Sequence, residues 1–260
     1  MQYNYNDWVP SQSYYAFASY VGCFPNAAEG SPAFIYKSIF SCLVDQPTEV
    51  LQNASAAISA SGNYGTWGFL PVTDHKYIQD LPSRELQSKS VNGVRLLSGN
   101  NANEGPLFVP QNITNEDALI SYLQDTFPLF STDDISRILT YYPGPPNNAS
   151  DSLSAIDYAT SGYIGSTALN ESSYGTGQQQ RANNVYAETT FACPSYWLAD
   201  AFTNNGRTAW KYQYSVPGAL HGSDTQGYFG PVGGTVSGDF EKAFMCMFFS
   251  YLSLIFPPSI

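Results

Sequence analysis

Two stretches of the chain read as clear β-strands, and each runs directly into a loop that carries a titratable side chain. The first is Val94–Ser98, a short apolar run bounded by Gly93 and Gly99, which suits a buried parallel strand. The loop NNANEGPLF follows it and holds Glu104. The second is Ala209–Val216, where Trp210, Tyr212 and Tyr214 alternate with Lys211 and Gln213. Pro217-Gly218 ends it, His221 follows among small residues, and Asp224 lies three positions on. In open α/β sheets, ligands and catalytic side chains gather beyond the C-terminal ends of strands. Both loops occupy such positions.

The chain has only two histidines, His75 and His221. Imidazole is the usual proton carrier near neutral pH. His75 follows Pro71-Val-Thr-Asp with no strand end to place it, and reads as an exposed turn residue. His221 has a strand before it and an acid upstream. Acid followed by imidazole is the second half of a Ser…Glu…His triad on an α/β-hydrolase sheet. In such a triad Glu104 accepts a hydrogen bond from one ring nitrogen of His221, and the other nitrogen takes the proton of a serine hydroxyl. That serine belongs on G-x-S-x-G between a strand and a helix. The sequence has none: Gly234-Thr-Val-Ser237-Gly238 has its serine one place late, SGNYG lacks one, and Gly222-Ser223-Asp224 is no elbow. An HGGG-type oxyanion segment is also absent. A different chemistry would pair two carboxylates, Glu104 and Glu188, in a glycosidase.

The surface composition narrows the setting. Net charge is −11 and only 12% of residues are charged. No basic surface exists to displace counterions from phosphates, which excludes nucleic acid as a partner. Four N-x-[ST] sequons, at Asn53, Asn112, Asn148 and Asn170, mark glycosylation candidates and a secreted protein. MQYNYNDWVP has neither a basic n-region nor an apolar h-region, so no signal peptide opens these residues. The four cysteines, at 23, 42, 193 and 246, fit no zinc spacing. Three pairings are possible; Cys23 with Cys42 suits a local disulfide, and free buried thiols remain an alternative.

Helices fill much of the rest. Ser11 is read as the N-cap of a helix ending at Gly22, with Tyr14, Phe17, Ala18 and Val21 on one face. Ala33–Leu43 and a helix opening at Asp45-Gln46-Pro47 follow. Thr114 is read as capping NEDALISYLQDTF, and Ser131 or Thr132 as capping DDISRILTYY. Residues 144–180 read as a long surface loop with one helical turn at Asp151–Tyr158. Pro194 divides two further helices, 181–190 and 194–204. From residue 246 to 260 the chain turns uniformly apolar, but the run is shorter than the ~20 residues of a stable membrane span.

Taken together, GNNANEGPLF at 99–108 and PGALHGSDTQGYFG at 217–230 resemble the acid and histidine blocks of the type-B carboxylesterase/lipase family, which includes fungal lipases and cholinesterases. Gly22-Cys23 with Ser41-Cys42-Leu43 resembles the family's small disulfide loop, YGTWGFLPVTD at 64–74 its aromatic segment, and FACP at 191–194 its third cysteine block. The match covers residues 10 to about 245 in the family's order. It implies an α/β-hydrolase fold, incomplete here, with the later strands of a mainly parallel sheet and flanking helices. On it, residues 1–245 form a partial esterase domain and 246–260 a non-matching tail. It implies Glu104 as triad acid, His221 as general base, Asp224 as the acid that supports them, and a Cys23–Cys42 disulfide. It implies small-molecule or lipid ester substrates, with no metal and no cofactor. The family's nucleophile and oxyanion blocks would precede Met1, and with them a signal peptide, so these 260 residues would be catalytically incomplete. The family also contains non-catalytic adhesion proteins, which gives the competing reading.

Overall fold

The computed structural model describes residues 2–24, 38–143, 175, 177–216, 218–230 and 237–255. Asn148, Asn170, the turn expected at Asp151–Tyr158 and the start of the helix expected at Ala33 lie outside them. The chain divides into two compact units, Met1–Arg84 and Glu85–Ile260, and α4 (Pro82–Gln87) runs through their boundary.

The first unit packs α1 (Trp8–Tyr20), α2 (Ile39–Val44) and α3 (Thr48–Ser61). α1 begins ahead of the expected Ser11 cap, so Pro10 falls in its first turn. A missing N–H costs nothing there, because the first four helical N–H groups have no partner within the helix. The core is Ala18, Val21, Leu43 and Ala54 around a Cys23–Cys42 disulfide, with Phe17, Ile39 and Leu51 at its margin. The local pairing is therefore the one present. Asn53 lies exposed on α3. His75 is an exposed turn residue with φ 59°, its Nδ1 2.9 Å from the Gln79 carbonyl. Asp74 beside it accepts from the N–H groups of Ile78, Lys76 and Tyr77, which hold its carboxyl below the usual range.

The second unit is built on a parallel pair, β1 (Arg95–Asn101) and β2 (Thr208–Tyr214), in register from Arg95↔Thr208 to Asn101↔Tyr214. β1 extends three residues beyond the expected strand. Gly99 sits opposite Tyr212, and a Cβ at Gly99 would lie 2.2 Å from the tyrosine ring. The phenol thus covers the glycine and fills the place of its missing side chain. Parallel strands are normally covered on both faces, and the C-terminal halves of these two are. On one face Tyr212 and Tyr214 meet Phe240 and Phe244 of α10 (Gly238–Ile255), while Tyr228 and Phe229 of α9 (Asp224–Phe229) pack on Phe248. On the other face the Ser98 hydroxyl donates to the Ser195 carbonyl (3.0 Å), and Lys211 Nζ lies 4.6 Å from the Tyr196 ring centre. α10 crosses residues 245 and 246 without a break. Among the described residues no helix is long and apolar enough to cross a membrane.

Three further helices pack on one another. α5 (Glu116–Thr126) is capped by Asn115, one residue after the expected Thr114; its Oδ1 accepts from Ala118 N–H at 2.9 Å. Asn is the stronger cap of the two. α6 (Thr132–Tyr141) has Ser131 at its N-cap, in a capping box with Asp134. α7 (Gly177–Ala187) carries Arg181, whose buried guanidinium binds Glu116 (2.6 Å), Gln178 (3.1 Å) and the carbonyls of Leu139 (2.8 Å) and Tyr142. The two helices expected on either side of Pro194 are one. The backbone stays helical from Gly177 through a π segment, Glu188–Ala192, into α8 (Cys193–Ala201). Proline cannot donate to the carbonyl four residues back, and its ring crowds that group. The wider π turn makes room there. The Thr189 hydroxyl donates to the Val185 carbonyl (2.6 Å) where the ladder shifts. α8 ends before the expected Asn204, because Asn204, Asn205 and Gly206 all have positive φ.

Candidate active site

Beyond the ends of both strands an isolated parallel bridge, displaced four residues from the β1–β2 register, places the site. Ala102 N–H donates to the Tyr214 carbonyl (2.9 Å), Asn103 N–H to the Ala219 carbonyl (2.8 Å), and Asn103 bridges to Leu220. The next residue on each side is Glu104 and His221. Their separation is therefore set by this bridge and by the turn through Gly218 and Ala219 that restores pairing after β2. Gly218 and Ala219 turn the chain with positive φ, and Asn103 Nδ2 donates to the Gly218 carbonyl at 3.0 Å.

Glu104 is 3% exposed, and its Oε2 lies 2.6 Å from His221 Nδ1. A carboxylate can only accept, so the neutral imidazole carries its proton on Nδ1 and leaves Nε2 as the acceptor. Glu104 Oε1 accepts from Asn101 N–H (2.6 Å) and from Asn101 Nδ2 (3.3 Å). Every oxygen of this buried acid thus has a donor, one of the conditions on which a carboxylate tolerates burial. Asn101 also exchanges two hydrogen bonds with Asp224: Nδ2 donates to Asp224 Oδ1 (3.0 Å), and Asp224 N–H donates to Asn101 Oδ1 (3.2 Å). The Tyr228 hydroxyl donates to Asp224 Oδ2 at 2.8 Å. Asp224 therefore reaches Glu104 through Asn101 rather than directly. The imidazole is gripped by Phe108 (centroid 4.9 Å, edge-on) and Phe191 (4.7 Å), and its side chain is 41% exposed. Burial, followed by the charge on Glu104, pushes the Tyr228 phenol up; burial, then Asp224 and Glu241, does the same to Tyr214.

The position after Glu104 admits no side chain. Gly105 touches the backbone of α7, and a Cβ there would sit 2.1 Å from the Asn183 carbonyl oxygen. Glu188 accepts from the Tyr142 hydroxyl. Cys193 and Cys246 are free; burial and the nearby Glu188 push the Cys193 thiol up. No group of metal-binding side chains occurs among the described residues.

The model of the carboxylesterase family matches residues 1–252. The chain belongs to the carboxylesterase family. A carboxylesterase patB of Aspergillus clavatus is 31% identical over 192 residues, 72% of this chain and 30% of the relative. Secreted lipase 4 of Gibberella zeae is 24% identical over 223 residues, 85% of this chain and 37% of the relative. Aspergillus niger EstA superposes with a TM-score of 0.67 at 17% identity, covering 99% of this chain and 47% of that one. The fold is that of an α/β-hydrolase, of which the 260 residues carry a part. The chain spans about a third of the length of the curated relatives and about half of the solved one.

Glu104, His221 and Asp224 can be named from the sequence, whereas Asn101, Phe108, Phe191 and Tyr228 around this carboxylesterase imidazole emerge only in the structure. Tyr228 had a signal, lying four residues after Asp224 on a short helix, where side chains meet. Asn101 had none, being one of several asparagines in its loop.

Proposed function

We propose that this chain is part of a secreted carboxylic ester hydrolase in which His221 is the general base and Glu104 its orienting acid. The observation that carries the reading is the 2.6 Å contact between Glu104 Oε2 and His221 Nδ1, with Nε2 left as acceptor. That tautomer is the one that withdraws a serine proton. Two curated relatives, a carboxylesterase and a secreted lipase, support the reaction class and the extracellular setting. The substrates are small-molecule or lipid esters. No residue in 1–260 lies on G-x-S-x-G, so the serine and the oxyanion donors come from outside these residues, and the 260-residue chain alone is inactive. Asn53 and Asn112, both exposed, are its glycan sites among the described residues, with Asn148 and Asn170 as further sequons.

The test is a fluorophosphonate serine probe with p-nitrophenyl esters. The intact protein should be labelled and should hydrolyse the ester, and His221→Ala should abolish turnover. The 260-residue chain should do neither. Turnover by purified 260-residue chain that His221→Ala abolishes would refute the missing nucleophile. An intact protein that takes no label and turns nothing over would instead be the family's binding-protein alternative.

A further inference from the structure

We propose that Lys211 is a positioning residue for the Glu104–His221 pair, its ammonium being the counter-charge to the carboxylate that holds His221 Nδ1. This rests on the ester-hydrolase reading of the site. A buried carboxylate needs both hydrogen bonds and compensation of its charge. The hydrogen bonds come from Asn101 and His221. Compensation cannot come from His221, because a general base must be neutral when the reaction begins. It has to come from a fixed cation.

Lys211 is placed to be that cation. It lies on β2, on the face that α8 covers, and its Nζ donates to Asn100 Oδ1 and to the Tyr212 carbonyl (2.6 Å). Asn100 in turn donates from Nδ2 to the Asn101 carbonyl (2.8 Å), and Asn101 holds Glu104 Oε1. Two neighbouring asparagines thus lie between ammonium and carboxylate. The titratable groups facing Lys211 are Glu104, from the loop after β1, and Tyr196, from α8, whose ring lies 4.6 Å from Nζ. Burial lowers the ammonium to about 8, and the charge on Glu104 pulls it back up. Lys211 is therefore charged at neutral pH and discharges at mildly alkaline pH. When it does, Glu104 loses its counter-charge, and the bond that sets the tautomer and angle of His221 weakens.

The 260-residue chain has two histidines, so the His221 ring can be followed by NMR with His75 as the internal control. The His221 resonances should show an inflection near the lysine midpoint of about 8, with none at His75. Lys211→Met and Lys211→Arg should both abolish it. Only Lys211→Arg, which stays charged throughout, should keep the wild-type His221 shifts at neutral pH. In the intact hydrolase Lys211→Met should lower kcat about tenfold, the equivalent of one pK unit of interaction, with KM little changed. Lys211→Arg should restore most of it. An alkaline inflection that persists at His221 in Lys211→Met overturns the proposal. So does an equal loss of kcat in the two variants, since that describes packing rather than charge. If the intact wild type hydrolyses no ester, the hydrolase reading fails, while the NMR titration still decides the coupling.

Discussion

Replacing Glu104 with Gln keeps the volume of the buried acid and changes only what its two terminal atoms can do. Three contacts have to be served: Asn101 N–H and Asn101 Nδ2 at one oxygen, and His221 Nδ1 at the other. The amide can turn its carbonyl toward His221, which sets its NH2 against the two Asn101 donors. Two buried donors then lose their acceptor, at about 1–3 kcal/mol each. Alternatively it turns its carbonyl toward Asn101 and its NH2 toward His221. Both Asn101 bonds survive, and Nδ1 becomes the acceptor, so the imidazole proton moves to Nε2. The second arrangement wins by about 2–6 kcal/mol, the sum for the two donors. Nε2 then carries a hydrogen and cannot take one from a serine, a fault that costs about 10⁴ in kcat in triad enzymes. Nitrogen-15 shifts of the two histidines give the tautomer directly. His221 should change from the Nδ1-H to the Nε2-H form and His75 should not, and the intact hydrolase should lose about four orders of magnitude in kcat. An unchanged His221 tautomer, or hydrolysis within about tenfold of wild type, would refute the assignment of Glu104.

Gly105→Ala should be among the most damaging single methyl additions, because the added carbon meets backbone, the Asn183 carbonyl 2.1 Å away, on a buried helix. A loss at or above the usual overpacking range of about 1–3 kcal/mol is expected by urea denaturation, with displaced His221 shifts. Replacing Cys23 and Cys42 together by alanine should destabilise the first unit by about 3 kcal/mol, from the entropy of the chain they close, and proteolysis of that unit should accelerate. For Lys211 the sign follows from a folded value of about 8 against 10.5 in the unfolded chain. Between these values the unfolded state binds more protons, so stability should rise with pH across that window. Denaturation midpoints should show the rise in wild type and lose it in Lys211→Met.

The two functional loops are legible in the sequence because short strands announce themselves and their C-terminal ends are where chemistry is placed. That placement makes Glu104 and His221 candidates, the family resemblance pairs them as acid and base, and the structure sets them 2.6 Å apart. What the sequence conceals is whatever depends on a distant partner. Lys211 alternates with Tyr212 as a solvent-facing residue would, and only the seating of α8 shows that it is covered. Asn101 holds two carboxylates that lie more than a hundred residues apart in the sequence, a role no local pattern encodes. Errors at helix ends have local causes: Pro10 is permitted in a first turn, and Asn115 outcompetes Thr114. Pro194 misleads because the usual rule allows proline to break a helix, and here a π segment absorbs it.

The π segment also limits how this gene can change length. The long helix has two faces that must be phased correctly: Arg181 toward α5 and α6 upstream, and Ser195 and Tyr196 toward the sheet downstream. A regular α-helix turns about 100° per residue. Deleting one codon among 188–192 would relax the wide turn into an ordinary one and leave both sets of contacts in phase, because a π turn is an α turn that carries one extra residue. It would also return Pro194 to a regular helix, where its ring meets the carbonyl four residues back, at about 3 kcal/mol. A deletion elsewhere between Arg181 and Ser195 has no wide turn to give up and would swing one set of contacts away from its partner by about 100°. A change of length in this helix is therefore best absorbed at Glu188–Ala192, with Pro194 setting its cost.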